Sequence, residues 1–438
     1  MNFHAALGFP ISSVVLVGSL CSQAAWIQST PTTNPGSINF HGLAYMTSTN
    51  KTLLQVGSGT QSTWEWNGGV WKQLKPANQP GCLNAFAMAY DSRRNRVVLF
   101  GGNGAKGVTN ETWEWNGTNW IKMNPKTSPP ARREFSGAFD SRRGKFVIFG
   151  GYNAKTELND TWEWDGTNWK QVLPATVPPR MAAHAMAYDS RRGRVVMFGG
   201  GLSYVSYSDT WEWDGVNWTK LTPKTRPRGR SWFAMTYDSV RGRSVIFGGQ
   251  DRKTKTQLND TWEWDGATWT PVLTKLSPQG EVAQAMAFDL ARNRTVLVGS
   301  QTWELGYPSL TSSMSSVSLS AGGTVKFQLD IPPVHIGKLY LLLGSLGGTF
   351  PGLNLGNVTL PLNPFDPYFN YTVGNPNGLI SGSFGVFVNA SAQASLAIPK
   401  GSPTSLVGRK MHHAFVAFPK NPTSFDFVSN AVPLQLTK

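Results

Sequence analysis

The sequence predicts an all-β protein in which a β-propeller is followed by a small β-sandwich. A unit of about fifty residues repeats along the chain, and each copy holds four short strand patterns separated by turn residues. The most constant part of the unit is the triplet Trp-Glu-Trp, which begins at Trp64, Trp113, Trp162, Trp211 and Trp262, with a degenerate copy at Trp303. A period near fifty with four strands per unit is typical of propeller blades.

The unit of residues 181–223 shows why each strand is expected. A first strand of small and apolar residues leads into a turn with Asp189 at its start and Gly193 where a positive φ is needed. The apolar second strand suits burial on both faces. Asp214-Gly215 is a tight-turn signal between the third and fourth strands. The strands are therefore predicted at residues 184–188, 194–198, 210–213 and 218–221.

The other units fit the same template, except that the last has only three strand patterns before the composition changes. Their expected spans are residues 40–76, 82–125, 132–174, 231–271 and 282–305. The segment that starts at Trp26 matches the fourth-strand patterns that start at Trp120 and Trp218. We therefore predict a six-bladed propeller in which the strand at Trp26 completes the last blade. This strand closes the ring and removes a free sheet edge.

A glycine pair follows the second strand in four of the units, at Gly101-Gly102, Gly150-Gly151, Gly199-Gly200 and Gly248-Gly249. With the tryptophans that follow, these units resemble kelch repeats over about residues 26–307. The first and last units depart from the pattern, with Gly57-Ser58-Gly59 and Gly299-Ser300 in place of the pair. The resemblance is to kelch propellers of the secreted bacterial type, similar to the central domain of galactose oxidase-like proteins, and it implies a β-propeller fold.

Composition divides the chain near Tyr307. All 18 tryptophans precede Leu305, and the region after Ser309 consists of short strand patterns separated by glycine, proline and asparagine turns. Such a region favours a compact β-sandwich. The predicted organisation is a signal peptide at residues 1–25, a propeller at residues 26–307 and a carboxy-terminal β-sandwich at residues 308–438.

The start of the chain predicts export. Residues 11–20 form an apolar run, and a small-residue cleavage site precedes Trp26. Cys21 stands where a lipoprotein cysteine would, but Leu20 before it favours simple cleavage. The run is too short to span a bilayer, and no other stretch is long and apolar enough. Cleavage leaves Cys82 alone, so we expect a secreted, periplasmic or cell-surface protein without disulfides.

The formal net charge of +15 indicates attraction to anionic partners. Export and the absence of any nucleic-acid-reading motif argue against nucleic acid as a partner. We therefore expect an extracellular protein or an acidic polysaccharide. The oligomeric state is left open.

The two ends of the propeller offer different candidate sites. One face carries the turns with Arg93-Arg94 and their equivalents, and an arginine ring there would bind a polyanion; the alternative is a set of hairpin tips paired with neighbouring aspartates. The opposite face carries the variable loops, where specificity usually lies. Arginine and tryptophan at a channel mouth suit a carboxylate or a sugar ring. The predicted ligand-binding residues are Arg133, Arg180, Arg230 and Trp232, with bridging between adjacent blades as the alternative role of the arginines.

No catalytic residue, metal site or cofactor is predicted. The glutamates of the triplets recur in every blade, whereas a catalytic group is needed once or as a pair, so we interpret them as structural partners of arginine or backbone groups. His41 and His184 lie in opposite blades, which is a poor arrangement for copper, and His412 and His413 face opposite sides of one strand. The predicted function is non-catalytic binding; the alternative is a sugar-acting enzyme similar to sialic-acid epimerases, with arginine and glutamate at the channel mouth.

Overall fold

A computed structural model shows the fold of the chain. It describes residues 24–438 except 37, 39, 58–60, 275, 308, 314–315, 332–338, 347–352, 355–358, 361, 363–367, 369–371, 373–379, 382, 387–390, 401, 403, 419–426 and 430–431. Residues 1–23 of the predicted signal peptide, including Cys21, lie outside the described residues. Two compact units are present, one of Gln28–Val272 and Leu276–Leu305, and one built mainly from Gly306–Lys438.

The repeat region consists of short strands at the predicted places. They are β1 (Ala25–Ser29), β2 (Gly42–Met46), β3 (Lys51–Val56), β4 (Ser62–Trp66), β5 (Trp71–Leu74), β6 (Ala87–Asp91), β7 (Arg96–Phe100), β8 (Asn103–Gly104), β9 (Gly107–Val108), β10 (Thr112–Trp115), β11 (Trp120–Lys122), β12 (Ser136–Asp140), β13 (Lys145–Phe149), β14 (Thr161–Trp164), β15 (Trp169–Val172), β16 (Ala182–Asp189), β17 (Arg194–Leu202), β18 (Val205–Ser206), β19 (Thr210–Trp213), β20 (Trp218–Leu221), β21 (Ala234–Asp238), β22 (Arg243–Phe247), β23 (Thr261–Trp264), β24 (Trp269–Val272), β25 (Ala285–Asp289), β26 (Arg294–Val298) and β27 (Thr302–Gly306).

These strands form antiparallel sheets that we call blades 1 to 6 in chain order. Blades 1 to 5 begin at β2, β6, β12, β16 and β21, and β18 adds a short extra strand to blade 4. The sixth sheet has the order β1-β27-β26-β25, so the strand at Trp26 is its outer strand, as the sequence pattern predicts. First strands of successive blades contact one another, and β25 contacts β2. The prediction of an all-β propeller is confirmed.

A closed cycle of backbone hydrogen bonds surrounds one end of the central channel. The residue six positions before the end of each first strand has a positive φ, although none of these six residues is glycine. Each donates its N–H to the carbonyl of the equivalent residue in the preceding blade, over 2.6 to 3.1 Å. The cycle runs through Phe40, Ala85, Glu134, Ala183, Trp232 and Ala283, and Phe40 donates to Ala283. Left-handed conformations at such residues are strained, and the cycle holds them in place.

Tryptophans of the outer strands connect neighbouring blades. Trp169 of blade 3 is 2 % exposed, and its indole N–H donates to the hydroxyl of Thr112 in blade 2 over 2.9 Å. The same bond recurs from Trp218 to Thr161. Each indole therefore buries a large apolar surface and satisfies its own donor. Repetition of this contact explains why tryptophan is confined to the repeat region.

The second unit contains two larger sheets that share one apolar core, and a two-stranded sheet of β32 and β33. Its strands are β28 (Ser309–Ser312), β29 (Ser316–Ser318), β30 (Gly323–Asp330), β31 (Leu339–Ser345), β32 (Leu353–Asn354), β33 (Thr359–Leu360), β34 (Ile380–Ser381), β35 (Phe384–Val386), β36 (Ser391–Ile398), β37 (Lys410–Phe418), β38 (Phe427–Val428) and β39 (Val432–Thr437), with a 3₁₀ turn at Thr404–Leu406. The sheet orders are β28-β30-β36-β34 and β29-β39-β37-β31-β35. Phe327 and Leu396 of the first sheet join Leu342 and Phe415 of the second in the buried core. This is the arrangement of a β-sandwich.

Candidate functional site

The end of the channel that carries the turns between first and second strands, which we call the turn face, is held by ion pairs within each blade. In blade 2, Arg94 donates Nε to Asp91 and Nη2 to Glu114, each over 2.7 Å. Trp164 of blade 3 donates its indole N–H to Glu114 over 3.0 Å. Equivalent arginine–aspartate–glutamate sets occur in blades 3 to 6, at Arg143, Arg192, Arg241 and Arg292. The structural interpretation of the repeated glutamates is confirmed.

The first arginines of three turns, Arg93, Arg142 and Arg191, are exposed, and two of them also bond the next blade. Arg93 donates Nε to the carbonyl of Ser141 in the next blade over 2.9 Å. Arg191 donates Nη2 to the carbonyl of Val240 over 3.4 Å. The guanidinium groups of Arg93 and Arg191 thus join neighbouring turns, and each second arginine has two carboxylates of its own blade. The hairpin-tip interpretation is the one that the structure supports.

The turn-face end of the channel contains a cavity of about 300 Å³. Its lining has no charged side chain and consists of the first strands and their turns. Tyr188 and Tyr237 stand at its mouth, and their hydroxyls accept the backbone N–H groups of Arg142 and Arg191. The other polar side chains of the lining include the serine and threonine hydroxyls of Thr47, Ser92, Ser141, Thr236 and Ser239, so the cavity offers hydroxyl groups but no charge to a ligand.

The opposite end, the loop face, brings five side chains together near the backbone cycle. The indole N–H of Trp232 donates to Oε2 of Glu134 over 3.2 Å, and Nε of Arg133 lies 3.6 Å from Oε1 of the same carboxylate. The guanidinium of Arg252 lies 4.4 Å from the ring centre of Trp232, and that of Arg133 lies 5.3 Å from the ring centre of Tyr152. We call these five residues the mouth cluster. Both arginines lie within cation–π distance of an aromatic ring.

Arg252 is the most unusual member of the mouth cluster. It is 7 % exposed, and it donates Nε to the hydroxyl of Ser231 over 2.9 Å and Nη1 to the carbonyl of Ser203 over 3.1 Å. Among the described residues, no carboxylate lies within ion-pair distance of its guanidinium. Burial lowers the pKa of Arg252, and the more distant carboxylates of Glu134 and Glu157 oppose that shift. Arg252 thus carries a buried charge that only neutral groups contact.

The four sequence-predicted ligand residues lie in three different environments. Arg133 and Trp232 belong to the mouth cluster, whereas Arg230 is fully buried and makes a two-pronged ion pair with Asp260 over 2.7 and 2.8 Å. Arg230 also donates to the carbonyl of Gly248 over 3.0 Å. The expectation that Arg230 faces a ligand is therefore corrected, because its polar atoms are occupied within blade 5. The structure assigns it a role in folding.

Arg180 differs from Arg230, although the sequence interpretation treats the two alike. Arg230 lies eight residues before Asp238, which ends the first strand of blade 5. In blade 4 the residue eight positions before the corresponding Asp189 is Met181, not Arg180. Met181 is buried, and Arg180 is exposed and donates Nη1 to the carbonyl of Glu157 over 3.0 Å. The buried equivalent of Arg230 is Arg132, which pairs with Asp160 over 2.7 Å. Arg180 remains a candidate for contact with a ligand; Arg230 does not.

Sequence reasoning missed Arg252 and Tyr152 as members of the cluster. Both lie in loops between second and third strands, outside the repeat pattern, and a loop longer by two residues in blade 5 is the only signal that marks Arg252.

Across the described residues, no group of three metal-ligating side chains is present. His41 and His184 are each buried, which lowers the pKa of His41 to about 4 and that of His184 to about 3.

Comparison with known families agrees with the repeat assignment. Residues 62–219 match a family model described as the KLHDC2/KLHL20/DRC7 Kelch-repeats domain. This span covers the third strand of blade 1 through most of blade 4, so kelch repeats are present in this part of the propeller. A search of the curated proteins finds no match. Within the described part of the chain, no helix has the length and apolarity needed to cross a membrane.

Proposed function

We propose that the chain is an exported, non-catalytic binding protein that uses its loop face to hold an extracellular protein or an acidic polysaccharide. Kelch repeats are typical of protein-binding scaffolds. The observation that carries the proposal is Arg252, which is buried against Trp232 and contacts no carboxylate among the described residues. A buried charge without an opposite partner is costly. A carboxylate from a bound partner would supply that missing charge.

The rest of the mouth cluster suits the same ligand chemistry. Arg133 is partly exposed at 35 % of its side chain, and its Nε lies 3.6 Å from Glu134, beyond hydrogen-bond distance. An incoming carboxylate would therefore find a guanidinium with a free donor in Arg133, with the buried charge of Arg252 close by, and charge-assisted bonds of this kind are short and strong. The aromatic faces of Trp232 and Tyr152 add apolar contact beside these charges.

Export is the second part of the proposal and rests on the sequence. The apolar run of residues 11–20, the small-residue site before Trp26 and the match of Trp26 to an outer-strand position all place cleavage at the same point. In the structure Trp26 is 1 % exposed within the outer strand of blade 6. A chain that starts near Trp26 would therefore keep every strand of the propeller.

The test is an array of acidic polysaccharides, glycans and extracellular protein fragments, probed with the mature protein at low and high salt. We expect binding that persists at high salt and falls at least tenfold in Arg252→Gln and in Trp232→Ala. Arg142→Gln on the turn face is the matched control and should bind normally. Binding that disappears with salt, or that falls equally in Arg142→Gln, would show that only the net charge of +15 is being measured.

A sugar-acting enzyme is the second candidate function, because the structure places Glu134 beside Arg133 and Trp232 at the channel mouth. Such an enzyme, similar to sialic-acid epimerases, would interconvert a free sugar. Nuclear magnetic resonance of the sugar with the mature protein distinguishes the two: turnover that Glu134→Gln abolishes would favour the enzyme, and binding without turnover favours the scaffold.

A further inference from the structure

The loop between the second and third strands has a different character in blade 4. There β17 extends to Leu202, and β18 returns the chain as a hairpin. Its tip is apolar and exposed, with Leu202 at 36 %, Tyr204 at 74 % and Val205 at 57 %. The equivalent loops in blades 2, 3 and 5 carry the mainly polar or small residues Gly104-Ala105-Lys106, Asn153-Ala154-Lys155 and Asp251-Arg252-Lys253. Exposed apolar groups gathered at one hairpin tip favour an interaction site.

The hairpin is held in one conformation by the buried arginine of the mouth cluster. Arg252 donates Nη1 to the carbonyl of Ser203 over 3.1 Å and its backbone N–H to the hydroxyl of Ser206 over 2.9 Å. At Gly201 a Cβ atom would lie 2.0 Å from the carbonyl oxygen of Val205, so only glycine permits this closure. A pre-organised hairpin loses little conformational freedom when a partner binds.

Basic side chains surround the hairpin tip. Lys255 places its ammonium 5.9 Å from the ring centre of Tyr204, and the neighbouring Lys253 is exposed. Arg228 is the third basic residue of this group; it is half-exposed, and its Nη2 lies 2.6 Å from the carboxylate of Asp251. The local charge is therefore positive, which matches an acidic surface. A second copy of the chain, with a net charge of +15, is disfavoured as the occupant.

We infer that the hairpin of residues 201–206 is the principal anchor for a protein partner whose contact surface combines apolar residues, which cover Tyr204 and Val205, with acidic residues opposite Lys253 and Lys255. This inference rests on the proposed function and narrows its two partner classes to protein. Leu202 and Val205 have no hydrogen-bonding side-chain group, so they gain little from a polysaccharide, whereas burial against apolar protein side chains stabilises the complex. A tyrosine at the centre of a patch is a frequent hot spot.

The test uses the mature full-length protein and a display library of random fifteen-residue peptides. We expect enriched peptides that combine Asp or Glu with aliphatic or aromatic residues. They should bind at least tenfold more weakly to the double variant Tyr204→Ser/Val205→Ser, and more weakly to Lys253→Glu/Lys255→Glu. Leu173→Ser is the matched control, because Leu173 is apolar, is 84 % exposed and belongs to blade 3 instead of the hairpin.

The outcomes separate the inference from the proposed function. Enriched peptides that bind the serine double variant as tightly as the wild type would overturn the hairpin as the anchor. If no peptide is enriched while an acidic polysaccharide still binds at high salt, the inference of a protein partner is wrong and the proposed binding function of the loop face is supported. If neither peptide nor polysaccharide binds, both the inference and the proposed function are wrong. Unchanged melting temperatures of the variants would show that any loss is local.

Discussion

Trp164 of one blade donates its indole N–H to Glu114 of the preceding blade over 3.0 Å, and the same carboxylate holds Arg94. This bond joins the third strands of neighbouring sheets through a residue that would otherwise be an unpaired buried donor. It recurs from Trp213 to Glu163 over 3.2 Å. The stability of the propeller therefore depends on contacts between blades as well as on the ladders within them.

The first prediction compares Trp164→Phe with Trp115→Phe. Trp115 occupies the equivalent position in blade 2, but its indole N–H has no partner among the described residues. The reason is that blade 1 has Thr49 where other blades have the second arginine, and Lys51 draws Glu65 away over 2.9 Å. We expect Trp164→Phe to lower the free energy of unfolding by about 1 kcal/mol more than Trp115→Phe, since only the first loses a hydrogen bond. Urea denaturation of both variants checks this; equal losses would contradict it.

The second prediction concerns two turn glycines in equivalent positions. Gly166 has a φ of +100°, and a Cβ there would lie 2.7 Å from the guanidinium of Arg94. Gly117 has a φ of +103° with nothing within 4 Å. Both alanine variants lose roughly 1 kcal/mol to backbone strain, but Gly166→Ala also displaces Arg94 from its carboxylates. Thermal unfolding should show the larger loss for Gly166→Ala, and a larger loss for Gly117→Ala would refute the interblade contact.

The third prediction is a loss of stability in mild acid. Burial lowers the pKa of His184 to about 3, whereas the unfolded chain titrates near 6.5. The unfolded state therefore binds more protons below pH 6.5, so the stability that this residue contributes is complete above pH 6.5 and falls as the pH drops towards 3. At pH 5 the loss is about 2 kcal/mol for this residue alone.

Phenylalanine replaces this histidine in three other blades, at Phe86, Phe135 and Phe233. His184→Phe therefore fits the local packing and should flatten the pH dependence of the unfolding free energy between pH 7 and pH 5. His412→Phe is the control, because His412 is only partly buried. An unchanged slope in His184→Phe would mean that other groups carry the acid sensitivity.

Much of this structure follows from the repeat itself. The period near fifty, the four strand patterns and the match of Trp26 to an outer strand predict the sheets, and recurrence in every blade predicts that Glu114 and its equivalents are structural. What escapes prediction either has no residue-type signal or lies outside the repeat. Phe40, Glu134 and Trp232 adopt a positive φ with no glycine to signal it, and the contact of Arg252 with Ser203 joins two variable loops. Arg180 stands one position earlier than Arg230 relative to the aspartate that ends the first strand, and the register of the first strand shows this difference.

The last prediction separates folding from binding at these two arginines. Arg230→Ala removes a fully buried side chain together with its bonds to Gly248 and Asp260, and we expect a loss of about 2 to 3 kcal/mol in unfolding free energy, because Asp260 is 41 % exposed and its carboxylate can still be hydrated. Replacing both partners, in Arg230→Leu/Asp260→Leu, should restore part of that stability because no unpaired charge remains. Arg180→Ala, at an exposed site, should change stability by less than about 0.5 kcal/mol. Guanidinium denaturation measures all three. A stable Arg230→Ala that loses ligand would reinstate the original assignment of Arg230 to the binding site.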